Sequence, residues 1–191
     1  MFNVEMFYDQ RTGRIHVIEV NPRMCGQFAD LMEMVNGTNT YEILLALAVG
    51  ERPRVQRRKG PFTVAASFPL RAFRDMKVLR VPGKERIEAV CRAFPVTLVK
   101  AYYKEGQLLS EREDQCDGAS YRYAVVNMAS HDRETLLADF AEVQRRLGFA
   151  FRFGEYFDSE AHAEEYVGVR SRRCAHGGAA FPNASADCSI C

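Results

Sequence analysis

The chain has 191 residues, 47% hydrophobic and 27% charged, with a formal net charge of +1, the make-up of a globular protein large enough to bury a core. So balanced a charge gives no reason to expect a nucleic acid or an anionic membrane as partner. No apolar run approaches the roughly 18 residues that span a bilayer, the first residues lack a basic-then-apolar leader, and the six cysteines are scattered, so a reduced, cytoplasmic protein is expected.

The opening stretch Phe2-Asn-Val-Glu-Met-Phe-Tyr-Asp9 and the following Ile15-His-Val-Ile-Glu-Val-Asn-Pro-Arg23 alternate and are rich in β-branched and aromatic residues, which predicts two strands of a hairpin. Arg11-Thr12-Gly13 reads as its tip. A three-residue loop with Gly13 left-handed pairs Gln10 with Arg14 and therefore Glu5 with Glu19, whereas a two-residue turn would send the glutamates to opposite faces. Two carboxylates directly opposite repel unless a cation lies between them. Asn21, two residues beyond Glu19, adds an oxygen on the same face, so the donor set is hard and suits Mg²⁺ rather than zinc. Arg23 follows on the same parity, with a planar fork suited to phosphate or carboxylate. His16 is expected on the opposite face as a surface residue. The bland alternative for the whole stretch is a solvated hairpin with no ion.

Glu5, then a hairpin, then Ile18-Glu19-Val20-Asn21-Pro22-Arg23, with Gly37-Thr-Asn-Thr-Tyr41 and a helix ending Ala48-Val-Gly50 downstream, resembles the metal-binding end of the ATP-grasp family, which includes biotin carboxylase and the ATP-dependent carboxylate-amine ligases. The resemblance covers roughly residues 1–50 and is thin beyond 128. It implies that Glu5, Glu19 and Asn21 hold Mg²⁺, with Mn²⁺ able to replace it, against ATP phosphates. It further implies that Arg23 contacts phosphate or the acyl-phosphate intermediate, as the catalytic arginine. The partners implied are ATP and a small carboxylate substrate. The expected activity is that of an ATP-dependent ligase, in which the activated carboxylate is attacked by an amine or similar nucleophile. A strand starting near residue 2 leaves no room for the nucleotide-binding half of such an enzyme. The expectation is therefore a carboxy-terminal portion, inactive alone: a fragment, one of two complementary chains with the missing half on the other, or a remnant that no longer binds nucleotide. The alternative is a non-catalytic binding or regulatory module derived from such an enzyme.

Further along, Met24-Cys25-Gly26 reads as a loop whose glycine admits close approach of a ligand, with Cys25 a packing thiol. Phe28, Leu31, Met32 and Val35 form a helical stripe ending at Asn36-Gly37. Asn39 and Glu42 resemble a capping box for a second helix with Tyr41, Leu44, Leu45 and Ala48 on its apolar face, and the two helices are expected to brace the hairpin from behind. Residues 51–60 carry Arg52, Arg54, Arg57, Arg58 and Lys59, the pattern of a solvated basic connector. Strands are predicted at 62–68, 77–81 and 96–103, with a helix carrying Ile87, Val90, Cys91 and Phe94 before the last of these. Glu111, Glu113, Asp114 and Asp117 mark a mobile acidic loop without calcium spacing. Then come a strand at 119–128 with Tyr121, Tyr123 and Val125 on one face, a helix carrying Leu136, Leu137, Phe140, Val143 and Leu147, and a short strand through Phe149, Phe151 and Phe153.

The fold class expected is α+β: the carboxy-terminal subdomain of an ATP-grasp fold, an antiparallel sheet with helices, followed by a small α+β lobe. The expected division is 1–50 for the metal-binding hairpin and two helices, 51–60 for the connector, 61–168 for the lobe and 169–191 for a disordered tail. In that tail Cys174, His176, Cys188 and Cys191 are soft ligands whose irregular spacing weighs against a zinc site.

Overall fold

In the computed structural model, residues 1–118, 120–153 and the strand at 189–190 are described. The described residues form a mixed α+β structure whose strand pairings are antiparallel, as the alternation of the sequence predicts.

Strands β1 (Asn3–Asp9) and β2 (Arg14–Asn21) form a two-stranded ribbon. A 3₁₀ turn at Gly26–Phe28 leads into α1 (Ala29–Asn36), ended by Gly37 in the left-handed region, and Asn39 caps α2 (Thr40–Ala48) by accepting from the Tyr41 N–H at 2.9 Å. The main sheet is built on β3 (Val64–Ala72) and β7 (Ser120–Ser130), with β5 (Leu98–Ala101) and the short β6 (Cys116–Asp117) on β7 and β9 (Ser189–Ile190) on the far edge of β3. A second ribbon pairs β4 (Met76–Arg80) with β8 (Ala150–Phe153). Helices α3 (Lys84–Ala93) and α4 (Arg133–Leu147) pack together, and α4 packs on β7 and β3 of the sheet.

The pleat divides the core. Even-numbered side chains of β3 and β7 (Ala66, Phe68, Leu70, Ala124, Val126, Met128) join Val90, Leu136, Val143 and Leu147 in the larger cluster, while Ala65 and Ala129 face the other way onto Leu31 and Met34 of α1. Ala65 and Ala129 are small enough to let α1 lie close. This is one departure from expectation: α1 packs on β3 and β7 rather than bracing the hairpin. Helix α2 buries none of its residues, and Tyr41, Leu44 and Leu45, expected as a core face, are exposed.

Other differences have local causes. The basic connector is not free: Lys59 and Gly60 donate backbone N–H groups to Asn36 O and Val35 O, and Gln56 and Arg58 donate theirs to the Thr38 and Asn36 side chains. Its cationic side chains stay in solvent while its backbone is tied to the end of α1. The strand expected at 96–103 is shortened to Leu98–Ala101, because Phe94-Pro95-Val96-Thr97 turns, with the Thr97 N–H donating to Phe94 O at 3.2 Å. A bulge next to Leu70 shifts the β3–β7 register, so Tyr123 enters the larger core while Val125 pairs with Pro69 on the other face. The acidic loop is pinned by a two-bonded Arg112–Asp114 pair, and Gln115 also donates to Asp114. Apart from Ser189 and Ile190, the tail, including Cys174, His176, Cys188 and Cys191, lies outside the described residues. No helix among the described residues is long and apolar enough to cross a membrane.

Candidate metal site

Strand β1 runs without interruption, and its pairing assigns the faces of the ribbon. Asn3 lies opposite Asn21 and Glu5 opposite Glu19; beyond that the partner jumps, so Met6 meets Val17 and Ile18 is left unpaired as a bulge. The expected opposition of the two glutamates is present, by a different route. The loop has four residues rather than three, since Asp9, not Gln10, pairs with Arg14.

The cause is Asp9. Its carboxylate accepts from the Arg11 N–H at 2.9 Å and the Thr12 hydroxyl at 2.6 Å, and the Gly13 N–H donates to Asp9 O at 2.8 Å, an Asx-type turn. The Thr12 hydroxyl first, then the Arg11 N–H, hold the Asp9 carboxyl below the usual carboxylate range. The extra loop residue moves the register by one, and the Ile18 bulge moves it back.

Directly opposite side chains share a face, with Cβ atoms about 5 Å apart. One face therefore carries Asn3, Glu5, Phe7 and Asp9 facing Asn21, Glu19, His16 and Arg14. His16 is not on the opposite side, as the sequence suggested: the bulge reverses parity along β2, and its ring lies 6.5 Å from that of Phe7. The reverse face carries Val4, Met6 and Tyr8 facing Val20, Val17 and Ile15, with Met6, Tyr8, Ile15, Val17 and Val20 between 54 and 63% exposed. The ribbon is thus amphipathic, with its apolar side in solvent.

The Asn21 amide donates to Glu19 Oε1 at 2.6 Å, which ties the two side chains together and leaves the Asn21 carbonyl oxygen uncommitted to Glu19. Across the ribbon, Asn3 Oδ1 is buried without a hydrogen-bond partner among the described residues, and such an orphan oxygen costs about 1–3 kcal/mol unless a cation or donor meets it. Asn3 was missed in the sequence, although its parity with Glu5 was the available signal.

A hard divalent cation fits this donor set: two carboxylates, two amide oxygens, one of them orphaned, and no sulfur. No group of three or more His, Cys, Asp or Glu side chains among the described residues is placed to hold a metal, so a site here depends on the asparagines to complete it.

Arg23 lies two residues past the end of β2, exposed, in a bend that strand parity does not place. Cys25 is half-buried and free. Gly26 is approached by the Tyr41 hydroxyl, which lies 2.7 Å from where a Cβ would stand, so the glycine makes room for α2. What fixes the segment after the ribbon is Gln27, which donates to Ser67 Oγ at 2.9 Å and whose carbonyl accepts from Asn127 at 3.4 Å. These bonds tether the ribbon's exit to the centre of the main sheet. Compared with protein-family models, curated proteins and solved structures, the chain shows no match.

Proposed function

We propose that this chain is the metal-binding, carboxy-terminal portion of an ATP-grasp ligase, resembling biotin carboxylase and the carboxylate-amine ligases, in which Glu5, Glu19 and Asn21 hold Mg²⁺. The observation that carries the reading is Glu5 directly opposite Glu19, with Asn3 and Asn21 the next pair along. Opposed carboxylates are unfavourable in a surface hairpin, where their placement is free to vary, and favourable where a cation joins them.

In this reading a small carboxylic acid is the substrate. Its oxygen attacks the γ-phosphorus of ATP, ADP leaves, and an amine then attacks the acyl carbon and expels phosphate. Mg²⁺, or Mn²⁺, held by Glu5, Glu19 and Asn21 would supply positive charge to offset that of the phosphate oxygens during transfer. Glu5 and Glu19 supply the negative charge that binds it, Asn21 orients Glu19, and Arg23 clamps the transferred group through its exposed guanidinium. No side-chain nucleophile is required.

The apolar reverse face of the ribbon supports a complementary, nucleotide-binding half that covers it, since an isolated two-stranded ribbon is marginal in water. The same exposed face also favours a second reading, a non-catalytic binding module derived from such an enzyme. Activity separates them. Joined to its complementary half, the chain should turn over Mg²⁺ and ATP with a carboxylate and an amine, and Glu19→Gln should lower that turnover at least about a hundredfold. Turnover unaffected by Glu19→Gln would refute the metal role, and folded assemblies without ATP hydrolysis would leave the module.

A further inference from the structure

Away from the hairpin, helices α3 and α4 border an open cleft of about 360 Å³ lined by Arg86, Ala89 and Val90 from one helix and Arg145 and Arg146 from the other. Three guanidiniums on one small concavity repel one another, and the fold compensates them incompletely. Glu142 accepts from Arg145 Nε and Nη2 at 2.7 and 2.6 Å and from Arg146 Nε at 2.7 Å. That single carboxylate is held down to about pKa 2 by Arg145 and then Arg146. On α3, Glu88 is met by Lys84 and Arg92. The cleft thus keeps a surplus of positive charge, with both Nη groups of Arg146 and Nη1 of Arg145 not committed to Glu142.

Arg86 sharpens the point. It stands in the first turn of α3, where the helix's own positive end disfavours a cation. Its side chain is exposed and reaches across to the end of α4, with Nη1 2.5 Å from where a Cβ on Gly148 would stand, so the three guanidiniums gather at one place. Arg146 meanwhile lies over an aromatic ring, its guanidinium carbon 5.1 Å from the Phe94 ring centre, a contact that steadies it as a donor. Val90, 2% exposed, and Ala89 give the cleft an apolar floor.

We infer that this cleft binds a phosphate group, either free phosphate or the phosphoryl end of a small molecule or lipid headgroup. A tetrahedral dianion offers enough oxygens to engage three guanidiniums, whereas a monocarboxylate has two oxygens for them. A cleft of this size accommodates a small organic ligand, and the apolar floor suits a short carbon skeleton behind the phosphate.

The test is an amide NMR titration of the full chain with inorganic phosphate and with phenyl phosphate, against chloride at matched ionic strength. Phosphate should give saturable shifts at Arg86, Ala89, Val90, Arg145 and Arg146, with a dissociation constant on the order of 1 mM or tighter. Arg86→Gln should weaken it about tenfold. Ala89→Glu, an exposed change that places a carboxylate in the cleft, should abolish it, and neither variant should alter the thermal midpoint appreciably. Co-sedimentation with phosphatidate vesicles against phosphatidylcholine vesicles separates the sources: phosphatidate-dependent binding lost in Ala89→Glu supports a headgroup, and soluble binding alone supports free or small-molecule phosphate. Non-saturating shifts, shifts equalled by chloride, or undiminished affinity in both variants would overturn the inference.

Discussion

Glu5 faces Glu19 across the ribbon because Ile18 bulges out of β2. The Asx turn at Asp9 lengthens the loop by one residue, and without the bulge Glu5 would meet Ile18, leaving the ribbon with one glutamate on each side. A bulge that restores a like-charged pair is the opposite of what surface electrostatics would select, which makes this pairing the centre of the functional reading.

The connector's attachment rests on Gly60. A Cβ at this position would run into the backbone of Met34 and Val35, and backbone cannot swing aside. Gly60→Ala should destabilise the chain by about 2–3 kcal/mol in chemical denaturation. It should also speed tryptic cleavage after Arg57, Arg58 and Lys59, whose backbone would no longer be held. Unchanged cleavage would show that the Asn36 and Thr38 contacts suffice.

Val96 has φ 66°, the left-handed region that a β-branched residue occupies at a cost. It follows Pro95 in the turn closed by the Thr97 N–H to Phe94 O bond, where a type II turn favours glycine. Val96→Gly should raise stability by about 1 kcal/mol net of glycine's greater backbone entropy, read as a higher thermal midpoint. A lower midpoint would mean that the half-exposed Val96 side chain contributes more by packing than its backbone costs.

Acid should loosen the lobe in a defined window. The Asp114 carboxyl is pulled down to about 2 by Arg112 first and then Gln115, and Glu142 to about 2 by Arg145 and then Arg146. Because the folded values lie below the unfolded ones, their stabilisation is present in full above the ordinary carboxylate range near pH 4. It is lost as pH falls toward 2. Melting temperatures measured from about pH 6 to 2 should therefore fall mostly below about pH 4, and Glu142→Gln should flatten part of that fall.

How much of this was legible in the sequence follows from the range of the forces involved. Helix ends at Gly37 and Gly148, the cap at Asn39 and the stripe through Leu136, Val143 and Leu147 are set by neighbours one turn away, and they stand where the pattern puts them. Hydrophobic periodicity marks an apolar face but not what covers it. For that reason the Leu44 and Leu45 face of α2 read as core although it lies in solvent. At the candidate site, the Glu5–Glu19 opposition emerged although the turn was read one residue short, because the bulge at Ile18 cancelled the error. That cancellation was invisible in the residues, and it carried His16 to the glutamate face. Asn3 needed only its parity with Glu5, while Arg23 lay beyond the strand on which its parity was counted.

The most direct test of the metal reading is paramagnetic broadening of amide NMR signals by Mn²⁺, up to about 1 mM, in the wild-type chain and in Glu5→Gln and Glu19→Gln. Selective broadening is expected at Asn3, Glu5, Glu19 and Asn21, and either substitution should remove it. Broadening concentrated instead on Glu111, Glu113, Asp114 and Asp117, or unchanged in both variants, would contradict it.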